Sequence, residues 1–149
     1  MGKFIKRRAA RFFAVQAIYQ LEYTDQPLKM VLDDFFRTHL NDPDHDTASH
    51  TDGDLFEGIV RGSQEHLAAL DERIEGVLAE GWTLDRMDAV VRAILRAAAF
   101  EFFHSFDAPS PVIINEYIEV AKSFFAGGEV KFINVALDQM AKMRPVPTA

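Results

Sequence analysis

The sequence contains no cysteine. That absence excludes disulfides, thiolate zinc sites and cysteine nucleophiles, and it fits a reducing compartment. Long apolar runs are missing too, and none approaches the roughly 20 residues a helix needs to cross a bilayer. The first residues, Met1-Gly2-Lys3-Phe4-Ile5-Lys6-Arg7-Arg8, are basic but lack the apolar block and small-residue cleavage site of a signal peptide. A cytoplasmic protein with no membrane contact is expected. There is no Gly-rich phosphate loop and no serine in a Gly-flanked elbow, so nucleophilic and nucleotide chemistry have no footing. Ala126-Gly127-Gly128-Glu129-Val130-Lys131 is too short for such a loop and reads as a helix stop and turn.

Positive charge is also scarce. The chain has 16 Lys and Arg against 23 Asp and Glu, a formal charge of -7. Such a balance argues against a protein coated in nucleic acid. The cations are unevenly placed, however. Lys3, Lys6, Arg7, Arg8 and Arg11 fall in the first eleven residues, where there is no acid. An acidic body with one basic end points to a local anion contact.

What is present is helical periodicity. At 149 residues and 48% apolar content the chain suits one compact domain with a real core. Ala10, Phe13, Ala14, Ala17 and Leu21 share one face of a helix expected over residues 7–23. A second helix is expected over 28–40 and a mobile acidic loop over 41–53. A long amphipathic segment follows over 54–79. Gly81-Trp82-Thr83 punctuates the chain, with Thr83 as a candidate cap. Further helices are expected over 88–103, from Ser110-Pro111 to about Phe125 with Ser110 as N-cap, and over 129–140. No strand and no repeat is legible. The fold class is all-α.

Three groups of residues carry candidate chemistry. Asp42-Pro43-Asp44-His45-Asp46 looks like a metal site but fails the calcium-loop template. Counted from Asp42, its sixth place is Thr47 rather than Gly and its twelfth is Gly53 rather than Glu. A solvated acidic loop is the better reading, with no metal and no cofactor. The second group is the back of the first helix: Arg8, Arg11, Phe12, Val15, Gln16 and Tyr19. Arginine supplies charge and paired hydrogen bonds for phosphate, while Tyr and Phe stack on unpaired bases. The competing reading buries this face in the centre of the fold, because a helix apolar on both sides is more often buried. The third group is Lys131, Phe132 and Asn134 in the first turn of the last helix, where free N–H groups favour anions. There Phe132 either stacks on a base or packs between subdomains.

These residues resemble the NusB family of bacterial transcription antitermination factors. The opening run from Arg7 to Tyr19 is similar to the family's first helix, and Arg92 to Phe102 to a later one. The strongest match is Pro109-x-x-Val112-x-Ile114-Asn115-Glu116-x-Ile118-Glu119-x-Ala121-Lys122-Ser123-Phe124, followed by Lys131-Phe132-Ile133-Asn134 and Leu137-Asp138. The chain departs from the family at Gly127-Gly128, where acidic residues are frequent, and at Val135, where Gly is common. Phe100 and Pro111 also differ from frequent choices.

The resemblance implies two packed helical bundles, an amino-terminal one over 1–80 and a carboxy-terminal one over 81–149, and no catalysed reaction. It implies binding of boxA-like single-stranded RNA of ribosomal RNA transcripts, together with a small-subunit ribosomal protein that acts as Nus factor E. The pair would then join the RNA polymerase elongation complex. RNA contacts carry over to Arg7, Arg8, Arg11, Gln16, Tyr19, Lys131 and Phe132, and partner contacts to Asp85, Phe124, Gly127 and Gly128. The alternatives are a helical protein-binding adaptor or homodimer using the back of the first helix, and a relative of the RNA-binding domain of ribosomal RNA cytosine methyltransferases. The latter would need a cofactor-binding domain downstream. A metal-dependent hydrolase is the remaining alternative.

Overall fold

The computed structural model describes residues 2–40 and 52–146, with side chains from Lys6 onward. Among these residues there are seven α-helices and no strand: α1 (Gly2–Tyr23), α2 (Leu28–Phe35), α3 (Gly53–Glu65), α4 (Leu67–Val77), α5 (Ala89–His104), α6 (Ser110–Phe124) and α7 (Gly128–Lys142). The expected acidic loop and its metal candidate, Asp42 to Asp46, lie outside the described residues.

Two helices hold the centre. α1 packs against α2, α3, α5 and α6, and α5 packs against α1, α3, α4, α6 and α7. Their sequences explain this. α5 carries Ala93, Ala97, Ala98 and Ala99 among Ile94, Leu95 and Phe102, all fully buried. Small side chains on several faces let neighbours approach from several directions, and a helix apolar all round belongs in a core. In α1 the expected face is buried at Ala10, Phe13, Ala14 and Ala17, and Val15 and Ile18 on the other side are buried as well. The inward residues of α6 are Ile113, Tyr117, Val120 and Ala121, with Ile114 and Ile118 half-buried beside them.

Several helix ends differ from the expected ones, each for a local reason. The helix expected over 28–40 stops at Phe35 and continues as a π-helical turn, Phe36–Leu40. The segment expected over 54–79 breaks at His66, whose φ of −110° and ψ of 19° leave the helical range and separate α3 from α4. α3 starts at Gly53 because the carboxylate of Asp52 accepts from the Leu55 N–H, a standard N-cap bond. Asp88 caps α5 in the same way, accepting from Val90 and Val91. Thr83 forms no such cap, and a short 3-10 turn, Leu84–Arg86, follows it. Ser110 is the first residue of α6 rather than its cap, and Pro111 sits in the first turn, where the missing N–H costs nothing.

Ion pairs tie the central helices to the rest. Glu22, at the end of α1, is held by Arg92 and Arg96 of α5, and Arg96 also forms two bonds to Asp71 of α4, at 2.8 and 2.9 Å. Burial alone would raise the Glu22 pKa, but the hydrogen bonds and charge of Arg92, with those of Arg96, bring it below the usual carboxylate range. At the far end of α5, Arg144 donates to the carbonyls of Glu101, Phe102 and Ser105. These are carbonyls of the last helical turn, which otherwise lack partners.

Candidate nucleic-acid interface

Arg11 is inside the protein. Only 2% of it is exposed, and its guanidinium makes two bonds to the Glu101 carboxylate, at 2.7 and 2.9 Å. The hydroxyl of Tyr117, fully buried on α6, donates to the same carboxylate at 2.5 Å. Burial opposes the charge on Arg11, yet the hydrogen bonds and charge of Glu101 outweigh it and hold the pKa above the ordinary arginine value. The Tyr117 hydroxyl is pushed well above its usual pKa, first by burial and then by the Glu101 charge. The expectation that Arg11 contacts RNA is therefore corrected. Its donors are spent on a three-residue network joining α1, α5 and α6, and reaching solvent would mean breaking it.

The neighbouring arginines are placed differently. The Arg8 side chain is 54% exposed, although it donates to the buried carboxylate of Glu116 at 2.8 and 3.3 Å. That hydrogen bond raises its pKa. Part of its charge faces outward and part anchors α1 to α6. Arg7 is less exposed, with its Nε 3.9 Å from the Asp52 carboxylate. Lys6 is exposed.

Gln16, Tyr19 and Phe124 come together. They line a groove of about 790 Å³ between the second half of α1, the α2 region with its π-helical turn, and the end of α6, which Tyr23, Arg37, His39 and Val90 also line. Tyr19 stacks on Tyr23 with ring centroids 5.2 Å apart, and Phe124 stacks on Phe12 at 5.5 Å. The groove is largely aromatic and aliphatic. Its one arginine, Arg37, is bonded to Asp34 at 2.6 Å.

Lys131 and Phe132 line a second, smaller cleft of about 360 Å³ between the end of α4, the turn that follows it and the start of α7. Gly128 lines it too, and so does Trp82, whose ring lies 5.6 Å from that of Phe132. Lys131 is exposed and Phe132 half-buried. Gly127 sits in the turn just before α7 and is exposed. Asp85 is exposed in its 3-10 turn and lines neither cleft. A hydrogen bond from Thr83 holds its carboxyl below the usual range.

Sequence reasoning passed over Trp82 and Tyr23 as functional residues. The available signal was a tryptophan at a Gly-flanked turn, a poor place to bury a large ring. The part Arg37 and His39 play in the groove had no local signal. Among the described residues no three His, Asp or Glu side chains are grouped to hold a metal, and no helix is long and apolar enough to cross a membrane.

The fold and these surfaces define an all-helical protein that presents aromatic faces and a few cations at the two ends of its central helices. The family model that matches, described as the NusB family, spans residues 8–142. The chain is 42% identical over 137 residues to a transcription antitermination protein NusB of Caulobacter vibrioides, covering 91% of this chain and 92% of that one. It is 44% identical over 138 residues to the protein of that name from Maricaulis maris, covering 91% and 86%. The solved structure of T. maritima NusB is 32% identical and superposes with a TM-score of 0.76 over 93% of this chain and 94% of that one. A structure of antitermination factors NusB and NusE in complex with dsRNA shares the fold at 20% identity, with a TM-score of 0.76 over 93% and 97%. The chain belongs to the NusB family.

Proposed function

We propose that this protein is a transcription antitermination factor that works by contact and not by catalysis. It binds boxA-like single-stranded RNA of ribosomal RNA transcripts together with a small-subunit ribosomal protein, Nus factor E, and joins the RNA polymerase elongation complex in the cytoplasm. The observation that carries this reading is Lys131, an exposed cation, beside the ring of Phe132 in the first turn of α7, in a chain of this family. A cation for phosphate next to a ring for an unstacked base is the minimum that single-strand recognition needs. The solved complex of NusB and NusE with dsRNA, built on the same fold, supports RNA and Nus factor E as the classes of partner.

The electrostatics divide the work. The basic start of α1, through Arg7 and Arg8, and the cleft at Lys131 and Phe132 suit RNA. The groove brings Gln16 and Tyr19, expected to contact RNA, together with Phe124, expected to contact the partner, so it suits the place where the RNA and a segment of the protein partner meet. Gly127 and Gly128 lie at the turn between the two surfaces, and Asp85 is available to the partner from its exposed turn. The remaining acidic surface repels RNA and confines it to these places. With few cations, affinity for RNA alone is modest and salt-sensitive, and the partner raises it.

The test is a fluorescence-anisotropy titration of a boxA-like RNA and a scrambled RNA at physiological salt, with and without the ribosomal protein. Tighter binding of the boxA-like RNA, strengthened by the partner, is expected. Equal or absent binding of both RNAs in both conditions overturns the reading and leaves a protein-binding adaptor.

A further inference from the structure

Four aromatic side chains stand out as exposed: Tyr23, Trp82, Phe106 and Phe124. Tyr23 and Phe124 line the wide groove. Phe106 packs beside Arg144, whose guanidinium is 5.4 Å from its ring and already bonded to helix-end carbonyls. Trp82 is different. Its indole is 51% exposed although it sits against Phe132, and the only charged side chain lining its cleft is Lys131. Lys131 forms no ion pair among the described residues.

We infer that Trp82 is a base-stacking residue for single-stranded RNA, extending the Phe132 ring into a two-ring platform whose outer indole face takes an unstacked base while Lys131 meets the adjoining phosphate. The ring planes are tilted by 42° with centroids 5.6 Å apart, too close to admit a base between them. The base therefore adds to the outer face. Phe132 packs against the indole, and Leu78 and Ala136 line the same cleft; a ring already held by a neighbour loses less entropy when a base docks. The charge complementarity favours RNA over an acidic or neutral peptide: a cation beside an open π-face is what a nucleotide offers partners for at once. Glu80 and Glu129 lie nearby in sequence but do not line the cleft.

This inference rests on the RNA-binding reading above and deepens it. The chain has one tryptophan, so intrinsic emission reports on Trp82 alone. A short boxA-like single-stranded RNA, end-labelled, is titrated into the full chain with the ribosomal protein present, and anisotropy and tryptophan emission are followed in matched samples after the partner's own emission is subtracted. Expected is quenching of Trp82 that tracks the anisotropy. Trp82→Ala should weaken binding about tenfold or more, and Trp82→Phe should retain most of it. Thermal melts should show both variants folded, since half the indole is already in water. If the RNA binds while Trp82 emission stays constant and Trp82→Ala binds as the parent does, the inference falls and the RNA reading stands. If no RNA binds, both fall. Emission that changes on adding the ribosomal protein without RNA, and not further with RNA, assigns the cleft to the protein and also overturns the inference.

Discussion

Replacing Arg11 by Met separates a structural role from an RNA-contacting one. Met keeps most of the aliphatic stem, so little cavity opens. What is lost is the guanidinium and its two bonds to Glu101. Glu101 is itself 2% exposed and would keep only the Tyr117 hydroxyl as a partner. Removing one member of a buried ion pair costs about 3–5 kcal/mol, because the remaining charge is stranded in a poor solvent. In a chain of this length each kcal/mol moves the melting temperature by about 2–4 °C, so a fall of about 6–20 °C is expected. Far-ultraviolet circular dichroism melts measure it. RNA affinity, taken well below the melting point, should be unchanged. Adding Glu101→Gln to Arg11→Met should recover part of the loss, since the stranded charge is gone and the amide oxygen still accepts from Tyr117. An Arg11→Met protein that melts like the parent but loses RNA affinity would refute the reasoning, because the guanidinium would then be reaching RNA.

Three other outcomes are expected. Gly62→Ala should destabilise by about 1–3 kcal/mol in urea titrations, since a Cβ there would lie 2.1 Å from a ring carbon of Phe100 and the α3–α5 contact would have to open. Arg144→Ala should cost about 1–3 kcal/mol by the same assay, because it strips the carbonyls at the end of α5 of their donor. The His104 pKa is lowered by burial first, then by His66, stacked 3.9 Å away, and by Arg73. The folded protein thus binds that proton more weakly than the unfolded chain, so this contribution to stability is complete above about pH 6.5 and declines as pH falls below it. Urea midpoints at about pH 7.5 and about pH 5.5 should differ less in His104→Gln than in the parent.

Much of the fold was legible because the helices are amphipathic and their stops are chemical. Asp88, Pro111 and Gly127-Gly128 mark ends that the structure keeps to within a residue or two. The break at His66 was not legible, since no Gly or Pro stands beside it and the apolar pattern runs through. The burial of Val15 and Arg11 was half-legible. A helix with apolar residues on both sides signals a central position, and α1 does have neighbours on four sides. The partner that makes a buried arginine tolerable, Glu101, lies 90 residues away, and no local pattern announces such a pairing. The groove was invisible for the same reason: Tyr19, Arg37 and Phe124 meet only after three separate helices have packed.

The arginines at the start of α1 show how one sequence motif divides under packing. Arg7, Arg8 and Arg11 read as a single basic cluster, but three and four residues along a helix are successive turns of nearly the same side, and α1 dives into the core between them. Arg8 stands where α1 still meets solvent, so it can hold Glu116 with part of its fork and offer the rest to an anion. Arg11, one turn deeper, has no water to fall back on, and only a carboxylate with matching geometry makes its charge affordable. The position of Glu101 on the equally buried α5 then fixes how α1 and α5 register against each other, and through Tyr117 the register of α6 as well. Arg11 thus serves the fold, holding α1, α5 and α6 in register, and its donors stay inside.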